Sequence, residues 1–563
     1  MRQTLALGID FGSLSGRVLL VDLTSGETRS VVTIPYNHGF LEQALPDQAE
    51  MLPPDWALQD PADYLDVLRL GIPQALAKAK AGPDDVLGIG LAFTASTVMP
   101  VKRDGTPLSQ LPGLRANKHA YVKAWKHHAA QPEATQITEA AIARGEPFLQ
   151  RYGGSISAEW LFPKIWQLLK EAPEVYEAMD RFIEAGDWVV WQLTGRETRN
   201  SCAAGYKSFW DRRSGYPAPD FFTSLDARLS GVVDEKLTRT VHQTGTRAGM
   251  LTPSAARMTG LKPGTPVAVA LVDAHAAVPA CGITESGQLL MIMGTSTCHL
   301  LLSETERSIK GICGVVENGI MPGYFGYEAG QPCVGDLFDW FVRHALPGSY
   351  LDRASEQGVS VYQILREDAG QQKPGAHGLV ALDWWNGNRS VLDNGELSGL
   401  LLGMTPATRP ADLYRALIEA TAFGTRLILD QYTGAGLPVN AVFACGGIAR
   451  KDPLLMQVYS DVLRKTIHVA HSDQAVALGA ALYGAVAAGP LSGGFPDIKT
   501  AARAVPRPPS AVYHPDASSA DLYDRLYAEY QVLHDLFGRD MPDIMRRLKA
   551  IRLAAASDRG YKE

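Results

Sequence analysis

Four short stretches hold residue types that handle phosphate. The first, LGIDFGSLSGRVLLVD (residues 7–22), runs apolar through Asp10, breaks at Gly12, Ser13 and Ser15, and turns apolar again. Gly8, Gly12 and Gly16 are four apart, which is not the Gly-x-Gly-x-x-Gly spacing that brings backbone amides to a dinucleotide pyrophosphate. No Gly-Lys-Ser/Thr follows to make a P-loop. A β-branched run bounded by the polar TSGET segment follows instead, which predicts strand, tight turn, strand. In such a hairpin Gly12, Ser13 and Ser15 offer amide and hydroxyl donors to phosphate oxygens. Asp10, at the strand end, can hold a hydrated Mg²⁺ that bridges those oxygens. Taken alone, the stretch reads first as an ordinary Gly/Ser hairpin.

The pattern recurs about half way along the chain, where LMIMGTSTCHLLL (290–302) places Gly294, Thr295 and Ser296 between two apolar runs. Two such hairpins can clamp one polyphosphate from both sides. A third stretch, FACGGIARKDPLLMQVYSDVLRKTI (443–467), sets Gly446 and Gly447 between a strand and a helix with Leu454, Leu455, Val458 and Leu463 on its apolar face. Without a Cβ in the way, the adenine and ribose of a nucleotide can lie against that backbone; a plain glycine turn would look the same. The fourth, PVAVALVDAHAAVPACG (266–282), ends an apolar strand at Asp273, with His275 two residues on. A carboxylate at the carboxyl end of a strand in an α/β sheet lies where ligands bind, and can take the proton of a hydroxyl that attacks phosphorus. The alternative for Asp273 is a helix N-cap, and His275 reads as a packed or supporting histidine.

The elements that must position these residues are those of a large α/β protein. Strand-like runs at 86–93, 266–272, 289–294 and 441–447 alternate with helical patterns at 64–81, 411–432 and 521–537, the last a terminal appendage that caps a domain or serves a subunit contact. At 563 residues the chain exceeds what one core serves, so two domains of roughly 250 residues are expected. With 53 basic and 60 acidic residues, the net charge of -7 gives no attraction to nucleic acid or an anionic membrane, and suits a small soluble substrate. No apolar run is long enough to span a membrane, and the N-terminus shows no signal-peptide pattern, so a cytoplasmic location is expected. Six scattered cysteines without a CxxC pair argue against a disulfide framework or a structural zinc site.

In this order, IDFGSLSGR, VDAH, MGTSTCHLL and CGGIARKDPLLMQVYSDVL resemble the FGGY family of carbohydrate kinases, within the sugar kinase, actin and Hsp70 superfamily. GDWVVWQLTG (186–195) is similar to a segment of that family's N-terminal domain. SAEWLFPKIWQLL, SCAAGYKSFWDRRSGYP, KGICG, YEAGQ and LDWWNGNRS resemble the branch that phosphorylates L-ribulose in L-arabinose catabolism. The resemblance implies two duplicated ribonuclease H-like domains flanking a deep cleft, a sugar-binding domain over 1–284 and a nucleotide-binding domain over 285–563. It implies ATP and Mg²⁺ as cofactors, sugar contacts from Ala95, Lys207, Asp273 and Glu328, and a homodimer. Lys207 would donate to the sugar and Glu328 accept from it. Trp125, Trp384 and Trp385 could stack on a sugar or nucleotide, or simply pack. Arg17 could serve phosphate or pair with a carboxylate, and Pro332 replaces a hydroxyl the family often has. The alternatives are an FGGY kinase for D-ribulose, D-xylulose, ribitol or another polyol, and an actin- or Hsp70-like ATP switch without catalysis. Such a switch has no need of the set Lys207, Asp273 and Glu328.

Overall fold

The computed structural model describes residues 4–46, 48–505 and 508–557. Strands β1 (Leu5–Phe11), β2 (Ser15–Asp22) and β3 (Thr28–Pro35) form an antiparallel meander, and β4 (Val86–Phe93) adds to β1 in parallel. Strands β5 (Arg247–Met250) and β6 (Pro266–Ala268) extend the sheet beyond β4, while β7 (Leu271–Val272) rejoins β4 at its carboxyl end. The 266–272 run is thus two short strands: Val267 stands opposite Ile89 and Leu271 opposite Ala92, so the run carries one residue more than β4 between those pairs.

The second sheet holds β8 (Gln288–Met293), β9 (Thr297–Ser303), β10 (Gly314–Glu317), β11 (Phe325–Gln331), β12 (Ala441–Cys445), β13 (Ile467–Val469) and β14 (Ala511–Tyr513). Its order β10-β11-β9-β8-β12-β13-β14 contains the meander β11-β9-β8 followed by parallel β12 and β13, which matches β3-β2-β1 followed by β4 and β6 in the first sheet. The fold is the duplicated one the resemblance implies. Both glycine-rich turns fall at the first hairpin of a sheet.

Register decides what meets at the strand ends. Phe11 of β1 and Val272 of β7 both stand opposite Phe93 of β4, so Asp10 and Asp273 lie one residue either side of a single row. Helix α1 (Ser201–Lys207) packs on β10, and α2 (Asp273–Ala280) starts at the end of β7.

Helix α3 (Ala475–Ala488), AVALGAALYGAVAA, is apolar on every face and therefore buried on every face. It lies against β1 and β4 of the first sheet and against α2, although its sequence belongs to the second half. Contact is at backbone distance: a Cβ on Gly8 would stand 1.8 Å from the Ala477 carbonyl oxygen, and one on Gly479 would stand 1.7 Å from that of Ala276. One core joins Leu19, Ala92 and Leu271 with Leu290, Leu300 and Leu482.

The 64–81 pattern is interrupted. Helices Pro61–Asp66 and Ile72–Ala79 are joined by a π-helical turn at Val67–Gly71, directly before Pro73, which lacks an amide donor and crowds the preceding turn. Helix Ala517–Asp535 caps the second core by burying Tyr523, Tyr527 and Tyr530 around Phe423. Among the described residues no helix is long and apolar enough to cross a membrane.

Candidate active site

Helix α1 is anchored at its start: the Asn200 side chain accepts from the Ala203 amide (2.6 Å) and donates to Asp187 (2.9 Å), the aspartate of the GDWVVW segment. Its last turn presents Tyr206 and Lys207 to β11 of the second sheet. The Tyr206 hydroxyl donates to the Gly326 carbonyl (2.6 Å), and Lys207 Nζ donates to Glu328 Oε1 at 2.8 Å. Lys207 is only 9% exposed, so it is no surface lysine. On the other carboxylate oxygen, His275 Nε2 lies 3.0 Å from Glu328 Oε2, while His275 Nδ1 lies 3.0 Å from Cys202 Sγ on α1.

The electrostatics separate two kinds of carboxyl. Burial alone would raise Glu328, but the Lys207 charge and the His275 bond outweigh it and hold the group well below the usual carboxylate range. Lys207 is raised in turn: burial opposes its charge, but the charge and hydrogen bond of Glu328, with Cys313 and Glu159, together outweigh it. This is an ionised pair. Asp273 is the opposite: burial first, then the nearby charge of Asp10, push it up to about 7 against the bond from the Ala274 amide to its Oδ1 (2.7 Å). Asp10 is also raised by burial, with Arg17 opposing the rise through a 3.0 Å bond to Oδ2. Arg17 therefore takes the carboxylate role of its two options, leaving Asp10 Oδ1 for another partner.

A cavity of about 420 Å³ opens beside the Lys207–Glu328 pair, walled by Glu159, Trp160, Cys313 and Arg389 among others, so both halves of the chain contribute. Arg389 Nη2 stands 3.8 Å from Glu159 Oε1, across the halves. Glu159 is held down at about 2, since the His128 bond and the Arg389 charge outweigh burial. Ala95 does not line this cavity. It borders a small recess with Glu184, Asn200 and Val272, the residue before Asp273.

The first hairpin closes through Gly12 N to Ser15 O (3.0 Å), and Trp125 Nε1 donates to Ser13 Oγ (3.1 Å), so Trp125 supports the turn. In the second, Gly294, Thr295 and Ser296 are exposed, and the Thr295 carbonyl accepts from the amides of Val334 (2.8 Å) and Asp336 (3.2 Å), which leaves the hydroxyls open. The glycine pair divides its work. Gly446 has φ +101°, and a Cβ there would stand 2.3 Å from the Met293 carbonyl oxygen, whereas a Cβ on Gly447 meets nothing within 4 Å. Close packing on β8 requires Gly446, and Gly447 presents the open face. Of the two readings for the tryptophans, Trp384 takes packing, fully buried in the second core, and Trp385 packs on Trp340 with ring centroids 5.2 Å apart.

Glu159 and Arg389 carry no local sign of a role in the sequence: they lie inside SAEW and WNGNR, segments that mark only family likeness, and His275 reads there as a supporting group. Among the described residues no group of three or more His, Cys, Asp or Glu side chains forms a metal cage. A single carboxylate such as Asp10 instead suits a cation held mainly by water and substrate phosphates.

Known proteins share this sequence and this fold. The chain is 50% identical over 539 residues to a protein named ribulokinase from Bacillus licheniformis, spanning 96% of this chain and 98% of that one. It is 50% identical over 552 residues to a protein of the same name from Halalkalibacterium halodurans, spanning 98% of each. The xylulose kinase structure from Rhodospirillum rubrum shares the fold with a TM-score of 0.76 at 23% identity, over 95% of this chain and 99% of that one. Residues 5–279 match the N-terminal domain, and residues 289–488 the C-terminal domain, of one family of sugar-phosphorylating enzymes, and the chain belongs to it: the FGGY family of carbohydrate kinases.

Proposed function

We propose that this kinase transfers the terminal phosphoryl group of ATP to the 5-hydroxyl of L-ribulose, giving L-ribulose 5-phosphate in L-arabinose catabolism. The observation that carries the reading is Asp273. This carboxyl is poised at about 7, stands at the aligned strand ends, and feels the charges of Asp10, Glu328 and Lys207. The end-to-end likeness to proteins named ribulokinase supports the choice of sugar.

Asp273 Oδ1 is occupied by the Ala274 amide, so Oδ2 takes the proton of the attacking hydroxyl as the sugar oxygen bonds to phosphorus and the bond to ADP breaks. Lys207 donates to sugar oxygens and Glu328 accepts from sugar hydroxyls, with Ala95 packing nearby. Gly12, Ser13, Ser15, Gly294, Thr295 and Ser296 donate to phosphate oxygens, and Gly446 and Gly447 seat the adenosine. Asp10 would hold Mg²⁺ through water, and the cation would neutralise charge on the phosphates. Residues 1–284 act as the sugar lobe and 285–563 as the nucleotide lobe, in a cytoplasmic homodimer.

A coupled assay of ADP release against ketopentoses and pentitols, with a no-sugar control, tests the reading. Release that depends on L-ribulose supports it. Preference for D-xylulose or ribitol would move the substrate within the family, and release independent of sugar would favour an ATP switch.

A further inference from the structure

We infer that His275 is a positioning residue for the acceptor sugar: its bond to Glu328 fixes the rotation of that carboxylate, so that Lys207 and the sugar use separate lone pairs. The inference rests on the reading above that Glu328 grips the sugar.

His275 is completely buried, and its ring lies against Tyr206 with centroids 4.4 Å apart. Burial keeps the imidazole neutral, so it carries a single N–H. An ionised Glu328 can only accept, so the proton sits on Nε2 and is donated to Oε2. Nδ1 is then an acceptor, and the Cys202 thiol, kept protonated by burial, donates to it. Cys202 thereby selects the tautomer. The chain of contacts runs from α1 through α2 to β11, and Lys207 on α1 closes it on Oε1.

The need for two donors follows from the glutamate itself. Its last torsion is broad and roughly two-fold, so one lysine cannot fix the plane of the carboxylate. A carboxylate offers about four lone-pair sites. With Lys207 on one oxygen and His275 on the other, each oxygen keeps a lone pair for a hydroxyl. Without His275 the group is free to turn both oxygens to the ammonium and withdraw them from the sugar.

The test is steady-state kinetics with L-ribulose and ATP on the full-length variants His275→Leu, His275→Gln, Cys202→Ser, Cys202→Ala and Glu328→Ala. His275→Leu is expected to raise the KM for L-ribulose about tenfold or more, as loss of a charge-assisted hydrogen bond does, with the KM for ATP within about twofold of the parent. His275→Gln, which still carries an amide donor, is expected to return the sugar KM to within about threefold, and Cys202→Ser, which keeps a donor to Nδ1, to stay there. An unchanged sugar KM in His275→Leu overturns the inference, as does equal damage in Leu and Gln, which would mean packing alone. If His275→Leu does not fold, Cys202→Ala decides: a raised sugar KM absent from Cys202→Ser supports the relay, and an unchanged one overturns it. Glu328→Ala separates the levels. If it leaves the sugar KM unchanged, the sugar-site reading fails; if it raises the KM while His275→Leu does not, only the role of His275 fails.

Discussion

Replacing Asp273 with Asn removes a proton acceptor and little else. The amide oxygen still accepts from Ala274, the volume is the same, and no phosphate donor is touched. General bases contribute about 10²- to 10⁴-fold, so kcat is expected to fall at least about a hundredfold, or about 2.7 kcal/mol of barrier. Two further signatures separate a lost base from a damaged fold. Because the carboxyl stands at about 7, the parent enzyme is expected to lose activity as pH falls through 7, about tenfold per unit well below it, and the Asn variant to lack that limb. The second signature is the sign of the stability change. In the unfolded chain Asp273 ionises near its ordinary 3.8, whereas the native protein keeps the proton until about 7. The native state then binds more protons over that window, so this group's contribution to stability falls as pH rises from about 4 to 7. The full shift corresponds to about 4 kcal/mol, which partial exposure to the cleft reduces to about 2 kcal/mol. Asn escapes that cost, so the inactive variant is expected to melt at a higher temperature than the parent at pH 8. A coupled ADP assay from pH 5.5 to 8.5 with thermal melts at both ends measures all three. A kcat within about tenfold of the parent, or an acid limb that survives the substitution, would refute Asp273 as the base.

Three other perturbations address its surroundings. Asp10→Asn removes a charge that raises Asp273, so whatever happens to kcat, the acid limb is expected to move to lower pH; an unmoved limb would mean the two carboxylates are not coupled. Glu328→Ala is expected to raise the sugar KM at least about tenfold and to lower the urea midpoint, because Lys207 is left buried without its counter-charge, a loss of about 3–5 kcal/mol. A change confined to the ATP dependence would place Glu328 elsewhere. Gly446→Ala is expected to destabilise by about 2 kcal/mol or more, since its Cβ would collide with the Met293 carbonyl at φ +101°. Gly447→Ala is expected to keep the melting temperature and lose nucleotide affinity, and unchanged ATP titration there would remove the adenosine seat from this turn.

Helix α3 crosses to the first sheet and buries an all-apolar surface between β1, β4 and α2, so the helix that begins at Asp273 is packed from behind by the half of the chain that carries the second hairpin. The backbones come closest where Gly479 meets Ala276.

Much of this was legible in the chain, and the limit is physical. Strand–turn–strand at 7–22 and 290–302, the glycine break at 446–447 and a carboxylate at a strand end are local signals, carried by side-chain period and turn chemistry within about a dozen residues. Their fourfold order along the chain was enough for the family. The interruption at Val67–Gly71 lies inside the 64–81 pattern because the apolar period runs on across it, and only Pro73 marks the break locally.

What sequence alone determined was therefore the inventory: two like sheets, two glycine-rich turns, and the candidates Asp10 and Asp273, with Lys207 and Glu328 added by the family likeness. Tertiary structure alone decided their neighbours. Cys202, His275 and Glu328 are separated by 73 and 53 residues, and Glu159 meets Arg389 across the two halves. Whether a carboxyl is held charged like Glu328 or kept near neutrality like Asp273 depends on which charges and how little water surround it, and those neighbours are brought by packing, not by adjacency in the chain.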